Sequence, residues 1–254
     1  MIYLVTHPNR LVETARTRLK FIGKATIIAV PQSECSSPEF GSQFALTSSN
    51  EDASEHLIRY VLDSNLRDSD LFHELCHVKL NEIGFKKVET IMERKAESLP
   101  QSEPEHNEMN GAVIFIAESY ANSLLFRHFK EESEPVREEL DNRFLFALPL
   151  RESVRKEGYV AIALAAGHRV AKIWSGYNED VAMRVAFEEA FRGSTVLDIY
   201  NRLYSIISSM PQIKELAGQI QNISPEDVDA IVRCALELFE NEKDWRRLQQ
   251  QRTL

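Results

Sequence analysis

The sequence of 254 residues has little of what disulfide-rich, membrane-spanning and nucleic-acid-binding proteins need. It has three cysteines, an odd number at distant positions, which excludes a disulfide framework and a cysteine-rich zinc module. No apolar run approaches the roughly 20 residues of a membrane span, and no basic region followed by an apolar one stands at the start. The formal net charge of -9 argues against a broad phosphate-binding surface. We therefore expect a soluble cytoplasmic protein that binds neither nucleic acid nor a membrane.

The most informative stretch is His73-Glu74-Leu75-Cys76-His77, an H-E-x-x-H sequence inside a predicted amphipathic helix over residues 64–83. Residues four apart on a helix lie one turn above each other, so both imidazoles face one point. Zinc binds imidazole and activates water, and a neighbouring carboxylate can take the proton of that water. The motif therefore predicts His73 and His77 as zinc ligands and Glu74 as the general base. The alternative is a solvated glutamate between two histidines at the edge of a core.

Residues 109–129 form a second predicted helix, strongly apolar, in which Glu118 falls inside the apolar stripe. A buried carboxylate costs several kcal/mol unless it is paired, protonated or bound to a metal. Its partner is either an arginine in a structural ion pair or a zinc ion held by the two histidines. We favour zinc, with the fourth ligand position open for water. Asn122 lies one turn later, where its amide can orient a ligand histidine through a hydrogen bond.

The predicted fold is α+β, with a small zincin-like sheet, an active-site helix and a glutamate helix in residues 1–130. One helix and three short strands precede the H-E-x-x-H helix, over residues 9–21, 25–30, 43–47 and 57–62. That helix is expected to start near Asp63 or Ser64 and to stop at Gly84. Residues 86–106, which are mostly charged, predict a mobile loop after a short helical piece at 89–97.

The C-terminal part has no chemical motif of its own. Residues 131–149 predict an acidic linker, and 150–254 predict an all-helical domain of unknown role. Its helices are expected at residues 152–174, 179–191, 196–208 and 224–248. Three of its side chains, at Tyr159, His168 and Tyr177, are candidates for stabilising an oxyanion. They are more simply interpreted as core or surface residues of a helical bundle.

Three strands, an H-E-x-x-H helix and a second helix carrying Glu118-Ser-Tyr-Ala-Asn122 resemble the gluzincin metallopeptidases. The resemblance is to the minimal ImmA/IrrE-like branch and covers about residues 5–130. It implies that His73, His77 and Glu118 bind Zn²⁺ and that Glu74 is the general base and acid of peptide-bond hydrolysis. The implied partners are a protein or peptide substrate and a regulatory protein. The strand just before the active helix is expected to pair with an extended substrate.

Several alternatives remain open at this point. A metzincin is excluded, because it needs glycine and histidine where the chain has Leu80 and Ile83. A SprT-like protease, which has a histidine as its third ligand, would use His106. A catalytically inactive zincin-fold scaffold would act through its helical half. A latent peptidase would have its cleft covered by residues 86–106 or by the helical half until a partner binds.

Overall fold

The computed structural model describes residues 8–37, 41–42, 45–61, 66–98, 103–147, 151–178 and 181–251. Its first helix precedes five strands, which form a three-stranded sheet and a separate two-stranded pair. These elements are α1 (Pro8–Leu19), β1 (Lys24–Val30), β2 (Ser36–Ser37), β3 (Gly41–Ser42), β4 (Ala45–Ser49) and β5 (Glu55–Val61). The three predicted strands are therefore present as β1, β4 and β5, and the α+β class is confirmed at this coarse level.

The order of the three-stranded sheet is β1-β5-β4, with β5 parallel to β1 and antiparallel to β4. The buried Ile58 of β5 pairs with Ile27 on one side and Thr47 on the other. The expectation that the strand before the active helix pairs with a substrate is therefore wrong, because both edges of β5 are already occupied. In the described part of the sheet, the open edges belong to β1 and β4.

The H-E-x-x-H segment forms α2 (Asp68–Leu80), and a π-helical turn (Asn81–Phe85) follows it. The backbone N–H of Arg67 donates to the Asp70 carboxylate at 2.8 Å, which closes the start of the helix. The predicted caps at residues 63 and 64 lie outside the described residues. The predicted stop at Gly84 is confirmed as a break, since its φ of 111° suits glycine.

The helical piece predicted at residues 89–97 is confirmed and is longer than expected, whereas a loop that reaches residue 106 is wrong. Helix α3 (Lys86–Glu97) fills the first half of that segment, and α4 (Glu103–His128) begins soon after it. Val88, Met92 and Ala96 recur every four residues and are buried, so they form one apolar face among the charged residues.

The C-terminal part contains α5 (Glu134–Ala147), α6 (Arg151–Trp174), α7 (Val181–Ala190), α8 (Thr195–Ser208) and α9 (Pro225–Gln251). The last four match the predicted helices, whereas α5 occupies most of the predicted linker. The prediction of an all-helical region needs a correction, because a short antiparallel hairpin joins α8 to α9. Its strands are β6 (Glu215–Leu216) and β7 (Gln219–Ile220), and both turn residues between them have positive φ.

Helix α4 lies at the centre of one continuous hydrophobic core, which extends from α1 to α9. It packs against α2, α3, α6 and α9, and it is apolar on most of its circumference. On α6, a Cβ atom at Gly167 would lie 2.4 Å from the hydroxyl oxygen of Ser119, so a larger residue would require the Ser119 side chain to move. The division into regions 1–130, 131–149 and 150–254 stays a prediction, and the core is shared across it. None of the described helices is both long enough and apolar enough to cross a membrane.

Glu82, in the π-helical turn after α2, connects this part of the chain to the segment between α1 and β1. Its carboxylate accepts hydrogen bonds from the backbone N–H of Ile22 at 2.8 Å and from that of Gly23. The Lys79 ammonium lies 3.8 Å away, and both side chains are nearly buried. Burial alone would raise the pKa of Glu82, but His56, the two N–H groups and Lys79 outweigh it and lower the pKa.

Glu82→Gln is expected to lower the free energy of unfolding by about 2 kcal/mol at pH 7, because charge-assisted hydrogen bonds are weakened. A carboxyl with a lowered folded-state pKa stabilises the fold above its unfolded pKa and loses that contribution as pH falls through the folded pKa. The gap between wild type and variant should therefore shrink as pH falls below 4.5, the unfolded value. Urea unfolding over this pH range measures it, and a gap that is constant down to acid pH would contradict the assignment.

Candidate metal centre

Helices α2 and α4 pack side by side and bring His73, His77 and Glu118 together. The two Nε2 atoms are 3.1 Å apart, and the imidazole planes meet at 78°. Glu118 Oε2 lies 3.1 Å from His73 Nε2, and Glu118 Oε1 lies 3.3 Å from His77 Nε2. One carboxylate therefore contacts both imidazoles, and among the described residues no arginine pairs with Glu118.

The spacing of these atoms fits a bound metal ion. Ligand atoms around a tetrahedral zinc ion, with bonds of about 2.0–2.1 Å, lie about 3.3 Å from one another. Here the two ring nitrogens are 3.1 Å apart and each contacts a different oxygen of the Glu118 carboxylate, at 3.1 and 3.3 Å, and one ligand atom from each residue lies within 4.8 Å of the others. Two ring nitrogens at such a distance share either a hydrogen, which one ring donates to the lone pair of the other, or a metal ion. The three residues can therefore hold a metal ion, and they are the one such group in the described part of the chain.

Packing of the neighbouring residues fixes the orientation of this site. On α2, most residues beside the motif histidines are buried, and Phe72 stacks on Phe129 with ring centroids 4.4 Å apart. The side chains of His73, His77 and Glu118 remain 15%, 17% and 30% exposed, respectively. The core thus determines how α2 and α4 are rotated, while the site keeps access to solvent.

The pKa values of Glu118 and His73 are both strongly shifted. Burial alone would lower the pKa of His73, but the Glu118 carboxylate outweighs it and raises that pKa to about 9. Burial would raise the pKa of Glu118, yet His73 and His77 hold it well below its usual range. Zinc binds neutral imidazole, so a metal ion entering here takes the place of the proton on His73.

The Glu74 carboxylate accepts a hydrogen bond from Thr47, a residue that the sequence analysis did not identify. The hydroxyl oxygen of Thr47, on β4, lies 2.6 Å from Glu74 Oε2 and 3.2 Å from the Glu74 carbonyl oxygen. No motif identifies Thr47, which is 27 residues away along the chain. Only the packing of β4 on α2 brings it to the site.

Asn122 lies one turn after Glu118 and is 8% exposed. Within the described residues it makes no hydrogen bond to His73 or His77, so its orienting role stays a prediction. His106, the candidate ligand of a SprT-like site, falls in the first turn of α4, and its side chain is outside the described residues.

The three candidate oxyanion stabilisers are engaged elsewhere. His168 Nε2 bonds to Asp141 at 2.8 Å, and the Tyr159 hydroxyl donates to the Leu238 carbonyl at 2.7 Å. The Arg137 guanidinium lies 4.4 Å from the centroid of the Tyr177 ring. These contacts agree with the simpler interpretation of all three as structural residues.

The chain matches no protein-family model, no curated protein and no solved structure. Its resemblance to the gluzincins therefore rests on the H-E-x-x-H sequence, on the segment Glu118-Ser-Tyr-Ala-Asn122 and on the order of the elements. Function has to be inferred from the chemistry of these side chains.

Proposed function

We propose that the protein is a zinc-dependent endopeptidase of the gluzincin type. The observation that carries the proposal is the convergence of His73, His77 and Glu118 at zinc-ligand spacing, with the Glu74 carboxylate adjacent on α2. Two imidazoles and one carboxylate favour zinc among cellular divalent ions. Three protein ligands leave a fourth position for water, as is typical of catalytic rather than structural zinc.

The chain's own residues supply the proton transfers of the proposed reaction. Zinc, when bound, supplies the Lewis acidity that activates water and polarises the scissile carbonyl. Glu74 Oε2 accepts the Thr47 hydroxyl, whereas Oε1 has no hydrogen-bond partner among the described residues. Glu74 accepts a proton from the attacking water and delivers it to the leaving amine nitrogen, so the carboxylate ends the cycle ionised.

The open edge of β4 supports an extended peptide as the substrate. In the described sheet, β4 pairs with β5 on one side only, and it packs on α2 beside the motif. Unpaired N–H and C=O groups of an edge strand can hydrogen-bond a peptide that lies alongside it. This arrangement favours a protein or peptide substrate over a small molecule.

A reducing cytoplasm is the compartment we propose for this activity. Cys76 and Cys234 are buried free thiols and are not joined in a disulfide. Burial raises the pKa of the Cys76 thiol well above its ordinary value, so it behaves as a core residue rather than as a ligand.

Metal removal tests the proposed function directly. Protein purified without chelator should cleave fluorescein-labelled casein, and 1,10-phenanthroline should reduce the rate by more than about tenfold, with recovery on added Zn²⁺. The non-chelating isomer 1,7-phenanthroline is the control and should leave the rate unchanged. Equal hydrolysis with both isomers would contradict a metal mechanism. Stoichiometric zinc without any hydrolysis would favour the latent enzyme or the inactive scaffold instead.

A further inference from the structure

Thr47 has the geometry of a stiff hydrogen-bond donor to Glu74. A threonine hydroxyl has one hydrogen, and the carboxylate oxygen at 2.6 Å is a closer and more highly charged acceptor than the carbonyl oxygen at 3.2 Å. Hydroxyl-to-carboxylate bonds of this length are among the stronger hydrogen bonds in proteins. A β-branched side chain in a strand also has few accessible rotamers, so little freedom is lost when the bond forms.

The strand that carries Thr47 is itself held in place. Thr47 pairs with the buried Ile58 of β5. Two residues further along β4, Ser49 Oγ accepts a hydrogen bond from Asn81 Nδ2 at 2.7 Å and contacts His56 Nδ1 at 2.7 Å. Strand β4 is thus hydrogen-bonded to α2 at Glu74 and to the π-helical turn after it at Asn81.

We propose that Thr47 is a positioning residue that holds Glu74 Oε2 and thereby leaves Oε1 to take the proton of the attacking water. A free glutamate side chain on a half-exposed helix face samples several rotamers, and only some of them keep an oxygen near the metal position. The inference rests on the proposed peptidase function. It adds that the open-edged strand β4 also sets the orientation of the catalytic carboxylate.

Two substitutions at Thr47 distinguish the effect of the hydroxyl from the effect of the side-chain shape. Thr47→Val keeps the branched shape and removes the hydroxyl, so kcat on a fluorogenic peptide should fall at least about tenfold with KM changed less than about twofold. Thr47→Ser keeps the hydroxyl and should retain kcat within about threefold. Zinc content should equal that of wild type in both variants. Thr26→Val is the matched control, because Thr26 is an exposed threonine of β1 in the same sheet.

A second readout needs no activity. In metal-free protein, Thr47→Val should lower the melting temperature by about 3 °C, since it removes one strong hydrogen bond. In a Glu74→Ala background the same substitution should lower it by less than about 1 °C, because the acceptor is already absent. Additive shifts would overturn the proposal.

Equal losses of kcat in Thr47→Val and Thr47→Ser would also overturn it, since the hydroxyl would then be irrelevant. A wild-type protein that binds zinc but hydrolyses neither casein nor peptide would instead defeat the proposed function. In that case only the melting temperatures test whether Thr47 holds Glu74. The two failures are therefore distinguishable.

Discussion

Glu118→Ala is expected to abolish stoichiometric zinc binding. Elemental analysis of wild-type protein, purified without chelator or nickel, should find about one zinc per chain, and the variant should have nearly none. Loss of an outer-shell partner alone costs about 10–100-fold in metal affinity, so loss of a direct ligand should cost at least a hundredfold. The carboxylate also contacts both imidazoles, at 3.1 and 3.3 Å, so its removal leaves two nearby nitrogens without their anion.

The control for this experiment is Glu131→Ala, an exposed glutamate just after the end of α4. It changes the net charge by the same amount and should keep full zinc content. Far-ultraviolet circular dichroism should be the same for both variants, because the Glu118 side chain is 30% exposed and is not part of the packed core. Full zinc content in Glu118→Ala would show that Glu118 is not the third ligand, and His106 would be the first alternative to test.

The three residues that could hold a metal ion were predictable, because each lies within a local pattern. His73 and His77 are one helical turn apart, and Glu118 interrupts an apolar stripe that has to be buried. The start of α9 was equally local, since Ser224 accepts a hydrogen bond from the backbone N–H of Asp227 at 3.1 Å, as a capping residue does. In each case the interacting groups are close in sequence or share one helix face.

The errors concern contacts that the local pattern does not encode. The central position of β5 depends on pairing with β1, which is 31 residues away in register, and no alternation along one strand reveals its neighbours. Helix α3 was predicted too short, because its charged residues obscure an apolar face that has only three buried positions. The hairpin β6–β7 has two residues per strand, too few to show an alternating pattern.

The contact between Thr47 and Glu74 could not be predicted from the sequence either. Thr47 carries an ordinary side chain on a short strand, and its importance follows only from the packing of β4 on α2. The H-E-x-x-H motif thus predicts two of the residues that could hold a metal ion, whereas the surrounding fold determines how the Glu74 carboxylate beside them is held.

Glu74→Gln is expected to keep the zinc and to lose about a thousandfold in kcat, since general acid–base catalysis contributes about 10²–10⁴-fold. An amide has nearly the shape of the carboxylate but cannot accept the proton of the attacking water. The substitution leaves His73, His77 and Glu118 in place, so zinc content should stay near one per chain. This result separates the base from the ligands, because Glu118→Ala loses metal and activity together.

Glu131→Gln is the matched control and should retain full activity. Initial rates on a fluorogenic peptide, measured at saturating and limiting substrate, give kcat and kcat/KM for each variant. Both parameters should fall equally in Glu74→Gln, since Glu74 acts on the proton in the transition state rather than on substrate binding. Hydrolysis that survives this substitution at more than about a tenth of the wild-type rate would exclude Glu74 as the general base. The proton acceptor would then have to be sought among the other groups that face the metal position.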